Sequence, residues 1–151
     1  MRSINRLFWI NFLLLVITSS CTKNTLTLPD PAPSLEGTYQ AVSINKPFPI
    51  QGETVKLSIK SLSKDSVSVS LVATVNGQPA DSITYNKARI SQLISTVNVK
   101  KGCVSYSINL TSAASSQSDF LRMTCTEENV ISYYYTPAGQ NIGTITKFKK
   151  I

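Results

Sequence analysis

The feature that most constrains the fold is an alternation of apolar and polar residues that begins near Leu35 and continues to the C-terminus. Between Asp65 and Val75, for example, every second residue is apolar, and serines and a threonine fill most of the alternate positions. An alternation at period two, in a segment rich in Val, Ile, Thr and Tyr, is typical of half-buried antiparallel strands. The sequence therefore predicts an all-β domain over residues 35–151.

The predicted strands are joined by short connections and number about eight or nine. They cover Gly37–Asn45, Glu53–Ser61, Asp65–Val75, the return strand after Asn76-Gly77, Gln92–Val99, Cys103–Leu110, Asp119–Thr126, Val130–Thr136 and Ile142–Lys149. Residues Asn86–Ser91 fit either a continued strand or a helical turn. An antiparallel meander of this size can remove its edges by closing into a barrel. A β-sandwich is the alternative architecture.

The dipeptide Asn76-Gly77 signals a hairpin. A two-residue loop would place apolar residues opposite serines, whereas a three-residue loop, which pairs Thr74 with Gln78, sets Ile83 against Val69. Because a slip of one residue inverts every side chain, the apolar faces favour the three-residue loop. We therefore predict a type I turn with Gly77 in a G1 bulge.

The N-terminus has the three-part layout of an export signal. Arg2 and Arg6 precede the apolar run Leu7–Ile17, which is too short for an ordinary transmembrane helix of about 20 residues. Small residues follow and lead to Cys21. The stretch Ile17-Thr18-Ser19-Ser20-Cys21 resembles the lipobox of bacterial lipoproteins.

This resemblance implies that residues 1–20 are a helical signal peptide and that Cys21 carries lipid, which makes membrane lipid the first expected partner. Residues 21–34 are rich in proline and form the predicted flexible, polyproline-like linker. Thr22, rather than Asp, follows the cysteine, which in the best-known sorting scheme implies the outer membrane. The alternative is ordinary signal cleavage near Ser20, which would leave Cys21 as a free thiol.

The two other cysteines, Cys103 and Cys125, make an even pair in an exported chain and lie in no C-x-x-C motif. If Leu110 pairs with Ser118, an antiparallel hairpin places Cys103 directly opposite Cys125. Directly opposed residues suit the geometry of a disulfide. We therefore predict a structural bridge between them.

The first predicted strand opens with Gly37-Thr38-Tyr39. These residues resemble the Gly-x-Trp motif at the closed end of lipocalin-like, or calycin, barrels, with Tyr39 in place of the tryptophan. The resemblance implies an eight-stranded meander barrel in which a basic residue of the last strand, Lys147 or Lys149, packs on the ring. The alternative is that Gly37 simply opens a strand and Tyr39 simply packs in a core, with no relationship to that family.

Composition argues against catalysis. The chain of 151 residues has no histidine and a formal net charge of +7. The commonest general base and metal ligand is therefore absent, and the few carboxylates lie mostly at predicted turns. The basic residues are scattered and not gathered with aromatics, which disfavours a nucleic-acid-binding protein. We expect no enzymatic activity, no cofactor and no metal.

Taken together, these features predict an outer-membrane lipoprotein whose barrel binds a small apolar or amphipathic ligand. The alternative is a packed, non-catalytic domain that serves as an accessory to another envelope protein. The run Tyr133-Tyr134-Tyr135 sends rings to both faces of its strand, so one face belongs to the core and the other could contact sugar or lipid.

Overall fold

The structure is a computed structural model, and it describes residues 29–94, 104–110, 119–127, 129–137, 139–140 and 142–151. Eight antiparallel strands follow one another round a closed barrel, and the last strand pairs with the first. The elements are helix α1 (Pro31–Leu35) and strands β1 (Gly37–Ala41), β2 (Thr54–Ser63), β3 (Ser66–Val75), β4 (Gln78–Ile94), β5 (Val104–Leu110), β6 (Asp119–Met123), β7 (Val130–Tyr135) and β8 (Thr144–Lys150). The predicted all-β meander barrel is confirmed, and the sandwich is excluded by the closure. No helix among the described residues has the length and apolar character needed to cross a membrane.

The period-two pattern separates the inside of the barrel from the outside. In β2 the side chains of Val55, Leu57 and Ile59 are buried while their neighbours are exposed. All eight strands contribute buried apolar residues to a single core cluster. Each fully buried aliphatic side chain contributes about 1.5–3 kcal/mol to folding. The alternation therefore supplies the driving force for closing the sheet.

The turn between β3 and β4 differs from the predicted one. Val75 pairs with Gln78, so the loop contains only Asn76 and Gly77, whose φ angles are 49° and 76°. Positive φ at both loop positions is typical of the type I′ turn, whose twist matches that of the flanking strands. The prediction of a three-residue loop with a G1 bulge is wrong.

The one-residue shift that aligns the apolar faces is made inside β4 instead of in the turn. Thr74 pairs with Pro79, but Ala73 pairs with Asp81, so one residue of β4 is bulged out. Pro79, directly before the bulge, has no N–H to donate to the ladder. A bulge therefore interrupts the strand pairing at little cost there. Beyond the bulge, apolar residues of β3 and β4 face one another, as the buried interior requires.

Residues Asn86–Ser91 continue the strand and do not form a helical turn, so β4 runs unbroken to Ile94. Residues 92–94 therefore end β4 and do not begin a separate strand, whereas residues 95–99 of the predicted strand lie outside the described residues. The register of β4 with β3 shifts a second time, between Val67 and Val69 of β3. The long strand explains why the barrel has eight strands.

The register of β5 and β6 is one residue away from the predicted one, because Leu110 pairs with Asp119 and not with Ser118. The observed register sets Ile108 opposite Leu121, and both side chains are buried. The apolar faces thus choose this register too. Cys103 lies outside the described residues, so its bridge to Cys125 stays a prediction and loses the support of that register. Cys125 is not without partners, and its N–H donates to Ser105 Oγ at 3.4 Å.

The proline-rich segment does not remain extended up to residue 34. Pro31–Leu35 forms the short helix α1, with prolines in its first turn, where their missing N–H groups leave no helical bond unmade. Ala32 and Leu35 are fully buried at the end of the barrel. The Ala32 N–H donates to the Lys64 carbonyl at 3.3 Å, and Lys64 Nζ lies 3.0 Å from a carboxylate oxygen of Asp30. The predicted linker therefore ends in a short helix that covers this end of the barrel.

Tyr39 and α1 close this end of the barrel, which we call the base. The Tyr39 side chain is fully buried, and its hydroxyl donates to the Leu35 carbonyl at 2.8 Å. Burial raises the pKa of Tyr39 to about 12. Lys150 Nζ lies 5.7 Å from the centroid of the ring and donates to the Glu36 carbonyl at 2.8 Å. The Tyr39 side chain is thus held by α1 through Leu35 and by the last strand through Lys150.

The cation on the Tyr39 ring is Lys150, and the prediction of Lys147 or Lys149 is wrong. Phe148 points into the barrel, so the residue two positions later lies on the same face of the strand, whereas Lys147 and Lys149 are on the opposite face. Gly37 makes room for this lysine. Its φ is +148°, and a Cβ there would lie 2.6 Å from Lys150 Cε.

The base offers a direct test of these contacts. Tyr39→Phe removes the hydroxyl and leaves the buried Leu35 carbonyl without its donor, which costs about 1–3 kcal/mol. Urea unfolding monitored by circular dichroism measures the loss. Tyr134→Phe on the outside of the barrel is the matched control and should change the free energy of unfolding by less than about 0.5 kcal/mol. Equal effects of the two changes would contradict the assigned role of Tyr39.

Candidate binding site at the barrel mouth

The opposite end of the barrel, its mouth, is covered by residues 42–53, which connect β1 to β2 and which we call the mouth loop. The sequence Lys46-Pro47-Phe48-Pro49 cannot continue a strand, because its two prolines lack N–H groups for a ladder. Phe48 and Ile50 are nevertheless only 5% and 2% exposed. The loop therefore folds inward over the core.

Phe48 is the centre of an aromatic cluster at the mouth. Its ring centroid lies 5.7 Å from that of Tyr133 and 5.2 Å from that of Tyr135, with edge-to-face geometry in both pairs. Phe148 lies 6.4 Å away. Such pairs add about 0.5–1.5 kcal/mol each beyond the burial of their area. The cluster joins the mouth loop to β7 and β8.

Hydrogen bonds fix both ends of the mouth loop. Asn45 Nδ2 donates to the Ile145 carbonyl at 2.7 Å, and the Tyr135 hydroxyl donates to the Asn45 carbonyl at 2.5 Å. On the other side, the Gln51 N–H donates to Asp81 Oδ2 at 3.1 Å. The loop is therefore anchored to β4, β7 and β8, three strands from two sides of the barrel.

A partly buried carboxylate lies beneath this cover. The Tyr133 hydroxyl donates to Asp119 Oδ2 at 2.7 Å. Burial raises the pKa of Asp119, and hydrogen bonds from Tyr133 and from the Thr136 backbone oppose that shift. Burial, followed by the bond to Asp119, also raises the pKa of Tyr133 far above its ordinary value. Burial likewise raises the pKa of Tyr85.

Thr146 adds a further polar atom to the interior. It pairs with Tyr133 across β7 and β8 and is 1% exposed. Its hydroxyl has no partner with full hydrogen-bond geometry among the described residues, although the Tyr135 hydroxyl lies near enough to interact with it. A buried hydroxyl of this kind is usually satisfied by an ordered water or a ligand atom.

The mouth loop itself lines a half-open pocket of about 350 Å³. Its walls are mainly apolar, with one lysine and one glutamine: Ile44, Lys46, Pro47, Phe48, Ile50, Gln51 and Gly52. Gly52 fits closely against β3, since a Cβ there would lie 2.7 Å from Ala73 Cβ. The pocket can hold a small molecule that is apolar over most of its length and negatively charged at one end.

The residues predicted from sequence do not meet at this site. Gly37 and Tyr39 are at the base, on the far side of the core, and Cys21 lies outside the described residues. The sequence analysis missed Phe48 and Asp119. A phenylalanine between two prolines was the one signal for the first, whereas Asp119 looked like an ordinary residue at the start of a strand.

Comparison of the chain with known family models, with curated proteins and with solved structures gave no match.

The carboxylate of Asp119 predicts a pH dependence of stability. Its pKa in the folded state is raised above the ordinary 3.8, so its folded form favours the proton more than its unfolded form does. The stability that this group contributes is present below pH 3.8 and is lost as the pH rises through the folded pKa. Asp119→Asn cannot ionise and should lose this dependence.

The measurement is the free energy of unfolding of the wild type minus that of Asp119→Asn, from pH 3.5 to pH 7. We expect this difference to fall as the pH rises and then to become constant. Asp65→Asn, at an exposed turn where the carboxylate accepts from Ser63 Oγ, is the control. A difference that rises with pH would contradict the raised pKa.

Proposed function

We propose that this protein is a non-catalytic binding protein of the bacterial envelope, anchored by lipid at Cys21, whose barrel mouth holds an amphipathic molecule with an anionic head. The observation that carries the proposal is the pocket of about 350 Å³ under the mouth loop, with apolar walls and Lys46. Ligand pockets in proteins commonly have volumes of about 300–1,000 Å³ and combine apolar walls with few polar groups.

The chemistry of the walls selects the ligand class. Ile44 and Pro47 offer the accessible apolar surface, Phe48 and Ile50 add only their few exposed atoms, and Lys46 is exposed beside them. A carboxylate or phosphate head would pair with the ammonium group, and the hydrocarbon part would lie on the apolar residues. The buried hydroxyl of Thr146 and the carboxylate of Asp119 do not line this pocket.

The position of the pocket differs from what a wide barrel would offer. The axis of the barrel is filled by core side chains, with Tyr39 at one end and Phe48 at the other. The proposed ligand therefore lies at the mouth and not along the axis.

A titration tests the proposed ligand class. Every strand and the core cluster lie within residues 29–151, so the probe can be applied to the chain from residue 21 onward with Cys21→Ser. We expect saturable calorimetric binding of monomeric dodecyl phosphate. Lys46→Gln removes the charged partner of the head and should weaken binding about tenfold or more, since a hydrogen bond to a charged group contributes about 1.5–3 kcal/mol.

Lys87→Gln is the matched control, because this lysine is exposed on β4, does not line the pocket and should leave the affinity unchanged. Ile44→Ser shortens the apolar wall and should also weaken binding. Absence of saturable binding, or equal losses in the two lysine variants, would refute the proposed site.

The tether rests on the lipobox-like sequence before Cys21. Two or more acyl chains on one cysteine anchor a protein stably, whereas a single chain gives only marginal binding. We propose the outer membrane as its location, since Thr22 and not Asp follows the cysteine.

Cys21→Ser should abolish the incorporation of labelled palmitate and release the protein from the membrane fraction. Cys125→Ser, tested in the same cells, should retain the label. Labelling that persists in Cys21→Ser would refute the tether.

A second function is favoured by the filled interior and by the closure of both ends: a packed domain that acts as an accessory to another envelope protein. This function needs no ligand at the mouth. Native mass spectrometry of the protein from its own cells distinguishes the two, because the first function predicts a bound small molecule and the second predicts the bare chain.

A further inference from the structure

The outer surface around β8 combines lysines with exposed apolar side chains. We define the β8 face by the residues Val42, Lys56, Val130, Ile145, Lys147 and Lys149. On β8, Ile145, Lys147 and Lys149 alternate with buried residues and therefore all point outward. The face lies on the side of the barrel and does not include the mouth pocket.

Strand pairing brings these residues together. Lys149 pairs with Gln40, and Gln40 pairs with Lys56, so two lysines flank one glutamine in a row across three strands. With strands about 4.8 Å apart, the two lysine Cα atoms lie about 10 Å from each other. Lys147 is two residues from Lys149 on the same face of β8. The positive charges are therefore close neighbours, although they are far apart in the sequence.

Apolar residues lie beside these lysines. The Val42 N–H donates to the Lys147 carbonyl at 2.9 Å, which places Val42 beside β8, and Val130 pairs with Lys149. Val42 and Ile145 are 68% and 44% exposed. With Lys147 and Lys149 they line an outer groove of about 540 Å³. Exposed apolar side chains gathered in this way indicate a contact surface.

The charge of the face is mostly unneutralised. Lys147 pairs with Glu127 at 2.8 Å. Lys56 and Lys149 form no ion pair with any residue in the described part of the chain. Lys60 lies two residues beyond Ser58 on the outer side of β2 and is also exposed. The face thus offers several positive charges to an anionic partner.

We propose that the β8 face docks onto the surface of a bilayer that contains anionic phospholipid headgroups. Lysines beside exposed valine and isoleucine side chains fit such a surface, because the ammonium groups meet the headgroups and the apolar side chains enter the interface. A soluble polyanion would use the lysines but leave the apolar side chains in water. The combination therefore selects a membrane.

This docking uses none of the residues that line the mouth pocket and needs no lipid at Cys21. It lays the barrel on its side, with the axis along the membrane. An anchor at Cys21 alone would leave the barrel free to rotate, whereas contact through the β8 face fixes its orientation. The proposal therefore adds a second membrane contact to a protein that is otherwise held by its N-terminal end.

The experiment uses the chain from residue 21 onward with Cys21→Ser, so that no lipid anchor contributes. Co-sedimentation measures partition onto vesicles of phosphatidylcholine with 30 mol% phosphatidylglycerol, and onto vesicles of phosphatidylcholine alone. We expect binding only to the anionic vesicles, and its loss in 0.5 M salt. Lys56→Gln with Lys149→Gln should weaken the partition about 30-fold, from the usual contribution of a lysine near an anionic surface.

The matched control is Lys87→Gln with Arg89→Gln, which removes the same charge from β4 on the opposite side of the barrel and should leave the partition nearly unchanged. Ile145→Ser should weaken it severalfold, with thermal unfolding checked for each variant. Equal losses for the two charge pairs would refute the β8 face. So would tight binding to soluble polyphosphate together with no effect of Ile145→Ser, because that result would identify a polyanion and not a bilayer.

Discussion

The structure depends on the pairing of its first and last strands. β1 is only five residues long and meets β8 through three residue pairs, Tyr39 with Lys150, Gln40 with Lys149 and Ala41 with Phe148. Where β1 ends, the Val42 N–H and the side chain of Asn45 continue to supply donors to carbonyls of β8. A barrel removes the unpaired edges of a sheet only if this closure is complete. The short strand is therefore supplemented by the loop that follows it.

The period-two alternation was sufficient to predict the class of fold, the meander and most strand positions, because burial of one face determines it residue by residue. It was not sufficient for turns and register. The buried faces were rightly expected to choose the register, but the shift is made by a bulge at Ala80, just after Pro79, and not by the Asn76-Gly77 loop. The same rule, applied to β5 and β6, selects Leu121 and not Phe120 as the partner of Ile108. Both corrections depend on packing across the barrel, which local sequence does not encode.

The candidate site was much less predictable than the fold. Phe48 is buried by contacts with Tyr133, Tyr135 and Phe148, residues 85 or more positions away in the chain. Asp119 acquires its environment from Tyr133 and Thr136, which are brought to it by the pairing of β6 with β7. Lys150, and not its neighbours, meets the Tyr39 ring because the inward phase of β8 is set by Phe148. Each of these contacts depends on the strand register, so none of them can be predicted before the register is known.

The mouth loop belongs to two surfaces at once. Lys46, Phe48 and Ile50 line the pocket, whereas Val42 and Asn45 line the outer groove beside β8. Asn45 joins the two, since it donates to Ile145 on the outside and accepts from Tyr135 at the mouth. Any two ligands that each favour one position of this loop are thermodynamically linked, and the factor by which the first changes the affinity of the second is the same in reverse. If both proposed ligands bind, the twelve residues of the mouth loop would make membrane contact and ligand occupancy reciprocal quantities.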